Sequence, residues 1–325
     1  MKVEFIKCHG SGNDFIMIDE MNESYDFSES ERKELSILLC DRHKGVGSDG
    51  ILFVMPSEKA EARMRMFNSD GTEAEMCGNG LRCVARYVIE NLGKSEVAIE
   101  TEKAVLASSK VAEIYPGIDT FSVAIEPVSF EVASLPMSVS SEQLIDESIP
   151  ELSDKRTFTA LSVPNPHIIS IMDEVEQDEL LKVGKKANHL PEVFPNGVNV
   201  SFVKVIEKNK IFVQTYERGV GLTNACGTAM SASSLVSTIL GPNEVDTPIV
   251  VINKGGLVNC VVEKSEERYS IQLRGNGTYV YQSAVDINFE NKEFHVYEKD
   301  FFNKENERYQ ELETYAQSQV GGGLS

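Results

Sequence analysis

The sequence predicts an α+β protein made of two pseudo-symmetric domains, each a strand-rich, barrel-like unit around a central helix. Three observations predict it: the length, a hydropathy pattern that recurs at about half that length, and a cysteine at the same point of each recurrence. At 325 residues the chain exceeds what one hydrophobic core commonly supports. With 41% hydrophobic and 25% charged residues it has apolar material for packed cores. Laying Cys77 on Cys226, an offset of 149 residues, brings the two halves into register.

The elements follow in order. His9–Asp19 (HGSGNDFIMID) reads as a loop with Asn13 leading into an apolar strand, and Gly45–Val54 (GVGSDGILFV) as a turn followed by a strand. Arg63–Phe67 (RMRMF) alternates as a strand does and ends ten residues before Cys77. Leu81, Val84, Ala85, Val88 and Ile89 then mark one face of a helix that stops near Gly93. The second half repeats the series. Val163–Asp173 (VPNPHIISIMD) carries Asn165 into a strand, and Asn196–Val203 (NGVNVSFV) carries Asn199. Ile211–Tyr216 (IFVQTY) ends ten residues before Cys226, and Ala232, Leu235, Val236, Ile239 and Leu240 mark a helix stopping at Gly241-Pro242. The domains are expected at 1–125 and 155–290. The Ser- and Pro-rich segment 126–154 reads as a crossover linker, and the polar extension 291–325 as a peripheral helix or as partly disordered chain.

Charge excludes several partners. A net charge of -20 repels phosphate backbones and anionic lipid, so no nucleic acid or membrane partner is expected. No apolar run reaches bilayer length and no leader is apparent, so the expected location is cytoplasmic. The six cysteines are then thiols. No second Cys or His pair stands at zinc-finger spacing, and no metal is expected. Gly45-Val46-Gly47-Ser48-Asp49-Gly50 has dinucleotide-binding form, but the run after it is strand-like, where such a site needs a helix.

Cys8, Cys40, Cys83 and Cys260 have adequate structural readings as small buried hydrophobes. Cys77 and Cys226 each stand at a strand-to-helix turn before a Gly, where helix N–H groups and the positive end of the dipole lower a thiol pKa toward neutrality. If the halves face each other about a pseudo-twofold axis, one thiol can remove a proton from a carbon acid and the other return one on the opposite face. The helix N-termini would hold the carboxylate and stabilise its developing charge. That is cofactor-independent racemisation or epimerisation of an amino acid.

Here the residues resemble a known family. CGNGLRC from Cys77, Glu217-Arg218-Gly219 with Ala225-Cys226-Gly227-Thr228, and HGSGNDF from His9 are similar to the signatures of diaminopimelate epimerase, and Asn165-Pro166-His167 and Asn199 agree with it. The resemblance implies interconversion of LL- and meso-2,6-diaminopimelate without cofactor or metal, on the route to lysine and peptidoglycan. It implies Cys77 and Cys226 as paired base and acid, and Gly78, Asn79, Gly227 and Thr228 as backbone holders of the reacting carboxylate. Asn13 and Glu217 would address the reacting amino group. Asn68, Asn165, Asn199 and Arg218 would read the distal end, and His167 and Glu217 would tune the thiols. Three departures stand out: Gly50 where many members carry Gln, Leu222 where many carry Glu, and Ala229 where Gly is common. The alternatives are a racemase of proline, hydroxyproline or histidine type, and a thiol-redox or binding protein; a homodimer is left open.

Overall fold

The computed structural model describes residues 1–319 except Ser24, Glu75 and Glu267. Contacts divide the chain into a unit of Met1–Val123 with Gly275–Leu312, and a unit of Ala124–Arg274 with the chain from Glu313.

In the first unit β1 (Lys2–Gly10), β2 (Asn13–Asp19), α1 (Glu29–Cys40), β3 (Gly50–Met55) and β4 (Ala62–Asn68) precede β5 (Glu73–Ala74) and α2 (Gly78–Leu92). After them come β6 (Glu96–Glu100), β7 (Val105–Val111) and β8 (Thr120–Ile125). Pairing runs β1–β2 antiparallel, β2–β3 parallel, β3–β4 and β4–β5 antiparallel, β4–β6 parallel, then β6–β7 and β7–β8 antiparallel. Parallel neighbours need a crossover, and α1 and α2 supply the two.

The second unit contains β9 (Glu147–Ser148), β10 (Thr157–Ser162), β11 (Pro166–Ile171), α3 (Gln177–Ala187), β12 (Asn199–Glu207) and β13 (Lys210–Glu217). Then come β14 (Gly221–Thr223), α4 (Gly227–Leu240), β15 (Pro248–Asn253), β16 (Gly256–Ser265) and β17 (Arg268–Asn276). From β10 to β17 the pairing repeats the first unit step for step, with β11–β12 and β13–β15 parallel and the remaining steps antiparallel. The repeat read from hydropathy is thus a repeat of strand order.

The central helices differ in how they tolerate burial. α2 buries Leu81, Val84, Ala85, Val88 and Ile89 and ends on Gly93, whose φ of 63° is the left-handed cap that glycine adopts without strain. α4 is buried throughout Gly227–Ser237, serines included. Ser231 and Ser234 satisfy their hydroxyls on the carbonyls of Gly227 and Met230, one turn back, so a polar residue costs little there.

Two segments depart from the sequence reading. Residues 126–154, expected as a linker, supply Val132, Leu135, Met137, Leu144, Ile149 and Leu152 to the core of the second unit. Their Ser and Pro neighbours mask an irregular but packed segment. The chain from 275 to 312 groups with the first unit, whereas the second domain was expected to run to 290, because β18 (Thr278–Asn288) pairs along the length of β1. β19 (Glu293–Val296) and β20 (Asp300–Phe301) then pair with β18. The polar extension ends in α5 (Asn303–Ser318), whose Tyr309, Leu312 and Ala316 are buried. Glu305 takes an ion pair from Arg86 of α2, and the Tyr309 ring meets His9 edge-on at 4.3 Å. Residues 320–325 lie outside the described residues.

Candidate active-site residues in the two units

In the first unit Asn13, Cys77, Gly78 and Asn79 gather at the N-terminus of α2. Cys77 is its N-cap, extended at φ -145°, and its sulfur accepts the Gly80 N–H at 3.4 Å. The helical ladder begins with Leu81 N–H donating to Cys77 carbonyl, so the Gly78 and Asn79 amides precede it and point out of the helix end. Asn79 donates from Nδ2 to Asn13 Oδ1 at 3.2 Å, and the Cys77 thiol lies 3.9 Å from the same oxygen. Asn68, last in β4, donates to Thr72 Oγ1 at 3.0 Å.

Gly50 explains its own departure from the family pattern. It lies in β3 beside Asn68, and a Cβ built there would stand 2.5 Å from the Phe67 carbonyl oxygen and 2.9 Å from Met66 Cε. The obstacle is paired backbone, which cannot rotate away. Gly50→Ala is therefore expected to cost about 3 kcal/mol through forced strand displacement, measured by urea denaturation; an unchanged midpoint would show that the strands part freely.

In the second unit Cys226 caps α4 in the same extended conformation, φ -127°, with the ladder beginning at Met230 N–H to Cys226 carbonyl. Its sulfur lies 3.5 Å from Thr228 Oγ1. His167, fully buried on β11, brings Nε2 to 3.1 Å from the same hydroxyl and 2.9 Å from Asn165 Oδ1. The same Nε2 faces an acceptor in the Asn165 oxygen and a donor in Asn199 Nδ2, 3.4 Å away. Burial, reinforced by the Arg218 charge, lowers the His167 pKa to about 3, so the ring is neutral at physiological pH and reaches Cys226 only through Thr228. Glu217, last in β13, receives the Thr223 hydroxyl. The Arg218 backbone N–H donates to Asn199 Oδ1 at 2.9 Å, and its guanidinium donates to the Asn196 carbonyl at 3.1 Å. A cavity of about 550 Å³ on this unit is lined by Arg218, Asn188, Phe194 and Tyr216, but by no other predicted site residue.

One sequence expectation is corrected. A helix N-terminus was expected to lower both thiol pKa values, but that of Cys226 is raised well above the ordinary range. Burial is the main cause, the Glu217 carboxylate adds to it, and hydrogen bonds from Thr228 and the Ala229 amide do not compensate. Cys226 is a protonated thiol in this unit.

Sequence reasoning missed several supporting residues. Asn276 accepts the Ser11 N–H at 2.9 Å and donates to the His9 carbonyl at 3.2 Å, fixing the loop before Asn13. Buried Arg82 ties α2 to that loop through Ser11 Oγ at 2.9 Å. Lys7, Asp14, Arg42 and Asp49 form a charged cluster beside Asn13. The signal for that cluster was present, since Asp49 marked the repeat, but its partners lie up to 42 positions away.

No helix among the described residues is long and apolar enough to cross a membrane, and no group of His, Cys, Asp or Glu among them could hold a metal. A sequence model of the family described as Diaminopimelate epimerase matches residues 5–113 and 159–280. A protein named Diaminopimelate epimerase from Clostridium acetobutylicum is 46% identical over 316 residues, covering 97% of this chain and 95% of that one. Among solved structures, a phenazine biosynthesis protein of the PhzF family from Bacillus anthracis superposes with a TM-score of 0.64 at 17% identity, over 88% of this chain and 100% of that one. A probable proline racemase from Agrobacterium radiobacter K84 gives 0.59 at 14% identity, over 88% and 93%. These last two speak to the fold alone.

Proposed function

The chain belongs to the diaminopimelate epimerase family, and from that premise we propose that it interconverts LL- and meso-2,6-diaminopimelate, an isomerase step in cytoplasmic lysine and peptidoglycan-precursor synthesis. The observation that carries the reading is the repeated one: in each unit a cysteine caps the central helix, with the first amides of that helix beside it. Inversion of an α-carbon needs a base on one face and an acid on the other. Cys77 and Cys226 are the two groups, exchanging roles with direction. Cys226, held protonated by burial and Glu217, is the acid when the proton leaves to Cys77.

The amides of Gly78, Asn79, Gly227 and Thr228 hold the reacting carboxylate and stabilise the charge that develops on it. Asn13 Oδ1 and the Glu217 carboxylate are acceptors suited to the ammonium at that centre. Asn68, Asn165, Asn199 and Arg218 recognise the distal amino acid end, where a guanidinium fork matches a carboxylate. The neutral His167 ring orders Asn165 and Thr228 through Nε2, and no organic cofactor or metal takes part. The fold likeness also admits a racemase acting on proline-type substrates, but the family identity over nearly the whole chain supports diaminopimelate.

The test is incubation of reduced protein with LL-diaminopimelate in deuterated water without cofactor, following the α-proton by NMR. Deuterium incorporation with approach to an LL/meso mixture, abolished by a thiol alkylator, is expected. Exchange only with proline or another amino acid would move the substrate, and silence across such a panel would overturn epimerisation.

A further inference from the structure

Asn13 is bonded on both sides. Its Nδ2 donates to Asp49 Oδ2 at 2.6 Å, and its Oδ1 faces Asn79 Nδ2 and the Cys77 thiol. A carboxylate can only accept, so Asp49 permits one orientation of the amide, with NH₂ toward Asp49 and carbonyl toward the α2 N-terminus. Asp49 is itself held. Its Oδ2 also accepts the Asp14 N–H at 3.1 Å, its Oδ1 accepts Arg42 Nη2 at 2.7 Å, and its own N–H donates to the Asp14 carbonyl at 2.9 Å. Arg42 clasps Asp14 Oδ1 at 2.7 Å, and the nearly buried Lys7 donates to Asp14 Oδ2 at 2.6 Å and to the Gly47 carbonyl. Two cations against two carboxylates leave the quartet without net charge.

We propose that Asp49, clamped by Arg42, is a positioning residue that fixes the Asn13 amide so that its carbonyl oxygen is presented to Cys77 and to the substrate ammonium. This rests on the epimerase reading for the substrate, though not for the amide geometry. An ammonium has only donors to offer; a reversed amide would meet it with an NH₂ group and lose the hydrogen bond. Asn at position 49 can donate or accept, and so removes the lock with little change of shape.

In Asp49→Asn, kcat/KM for LL-diaminopimelate is expected to fall about tenfold, mostly in KM, as for one charge-assisted bond lost. In an Asn13→Ala background the same substitution is expected to change nothing further. An undiminished kcat/KM in Asp49→Asn, or the same fold loss with and without Asn13, would overturn the proposal. A second readout needs no substrate: in ¹⁵N-labelled protein the Asn13 side-chain NH₂ pair is expected to sit downfield and to move on Asp49→Asn. An NH₂ pair identical in both proteins would overturn the proposal too. If the native protein leaves LL-diaminopimelate unchanged, the epimerase reading fails, and the NH₂ pair still decides the orientation.

Discussion

Cys77→Ala and Cys226→Ala proteins are each expected to lose LL-to-meso conversion by at least about 1,000-fold while remaining folded. The size follows from the proposed chemistry: in the two-thiol reading each cysteine exchanges the proton on its own face of the α-carbon, so removing one thiol removes that exchange. The folded state should survive because each change removes a single sulfur atom. Cys77 is half-buried, and Cys226 is buried beside the Thr228 hydroxyl and the Glu217 carboxylate. Replacing a buried Cys by Ala costs about 1 kcal/mol, which leaves an ordinary domain folded. Turnover is followed by α-proton NMR and folding by thermal melting of the same samples. Either variant retaining more than a tenth of native turnover would remove the two-thiol mechanism.

Stability is expected to fall steeply as pH drops from about 6.5 toward 4, before most carboxylates titrate. Burial lowers the pKa of His167 to about 3 and that of His9 to about 4. Above pH 6.5 both rings are neutral in folded and unfolded chains, and neither affects stability. Below it the unfolded chain binds a proton at each ring that the folded chain refuses, so stability is lost until the folded pKa is reached. At pH 5 each histidine accounts for about 2 kcal/mol, being 1.5 pH units below the unfolded value. Urea midpoints at pH 7 and pH 5 measure it, and His167→Gln is expected to flatten the difference by about half. Equal slopes for native and variant would mean that His167 is not the sensitive group.

The order of elements was legible in the sequence because periodicity is local. Leu81 to Ile89 and Ala232 to Leu240 announced α2 and α4, and the repeat of features around Cys77 and Cys226 anticipated a common strand order. What was not legible depended on distant partners. The apolar residues of 126–154 have no period, so their burial against the second unit left no local mark. The raised pKa of Cys226 depends on depth and then on Glu217, neither of which a helix N-terminus reveals. Gly50 read only as a departure from the Gln that many members carry, and the carbonyl of Phe67 across the ladder shows why a side chain is absent.

The pairing of β1 with β18 bears on the order in which the chain matures on the ribosome. The Met1 ammonium binds Asp286 and the Ile287 carbonyl, and the unit that begins at Met1 is complete only with Gly275–Leu312. Translation proceeds from the N-terminus, so the unit started first is finished last. Until some 275 residues later β18 emerges, the edge of β1 is an open strand, the kind of surface that recruits wrong partners. The stretch 124–274 emerges as one continuous piece, and only the chain from Glu313 joins its unit later. A nascent chain stalled before residue 275 would thus carry most of the residues of the second unit behind an unfinished first one.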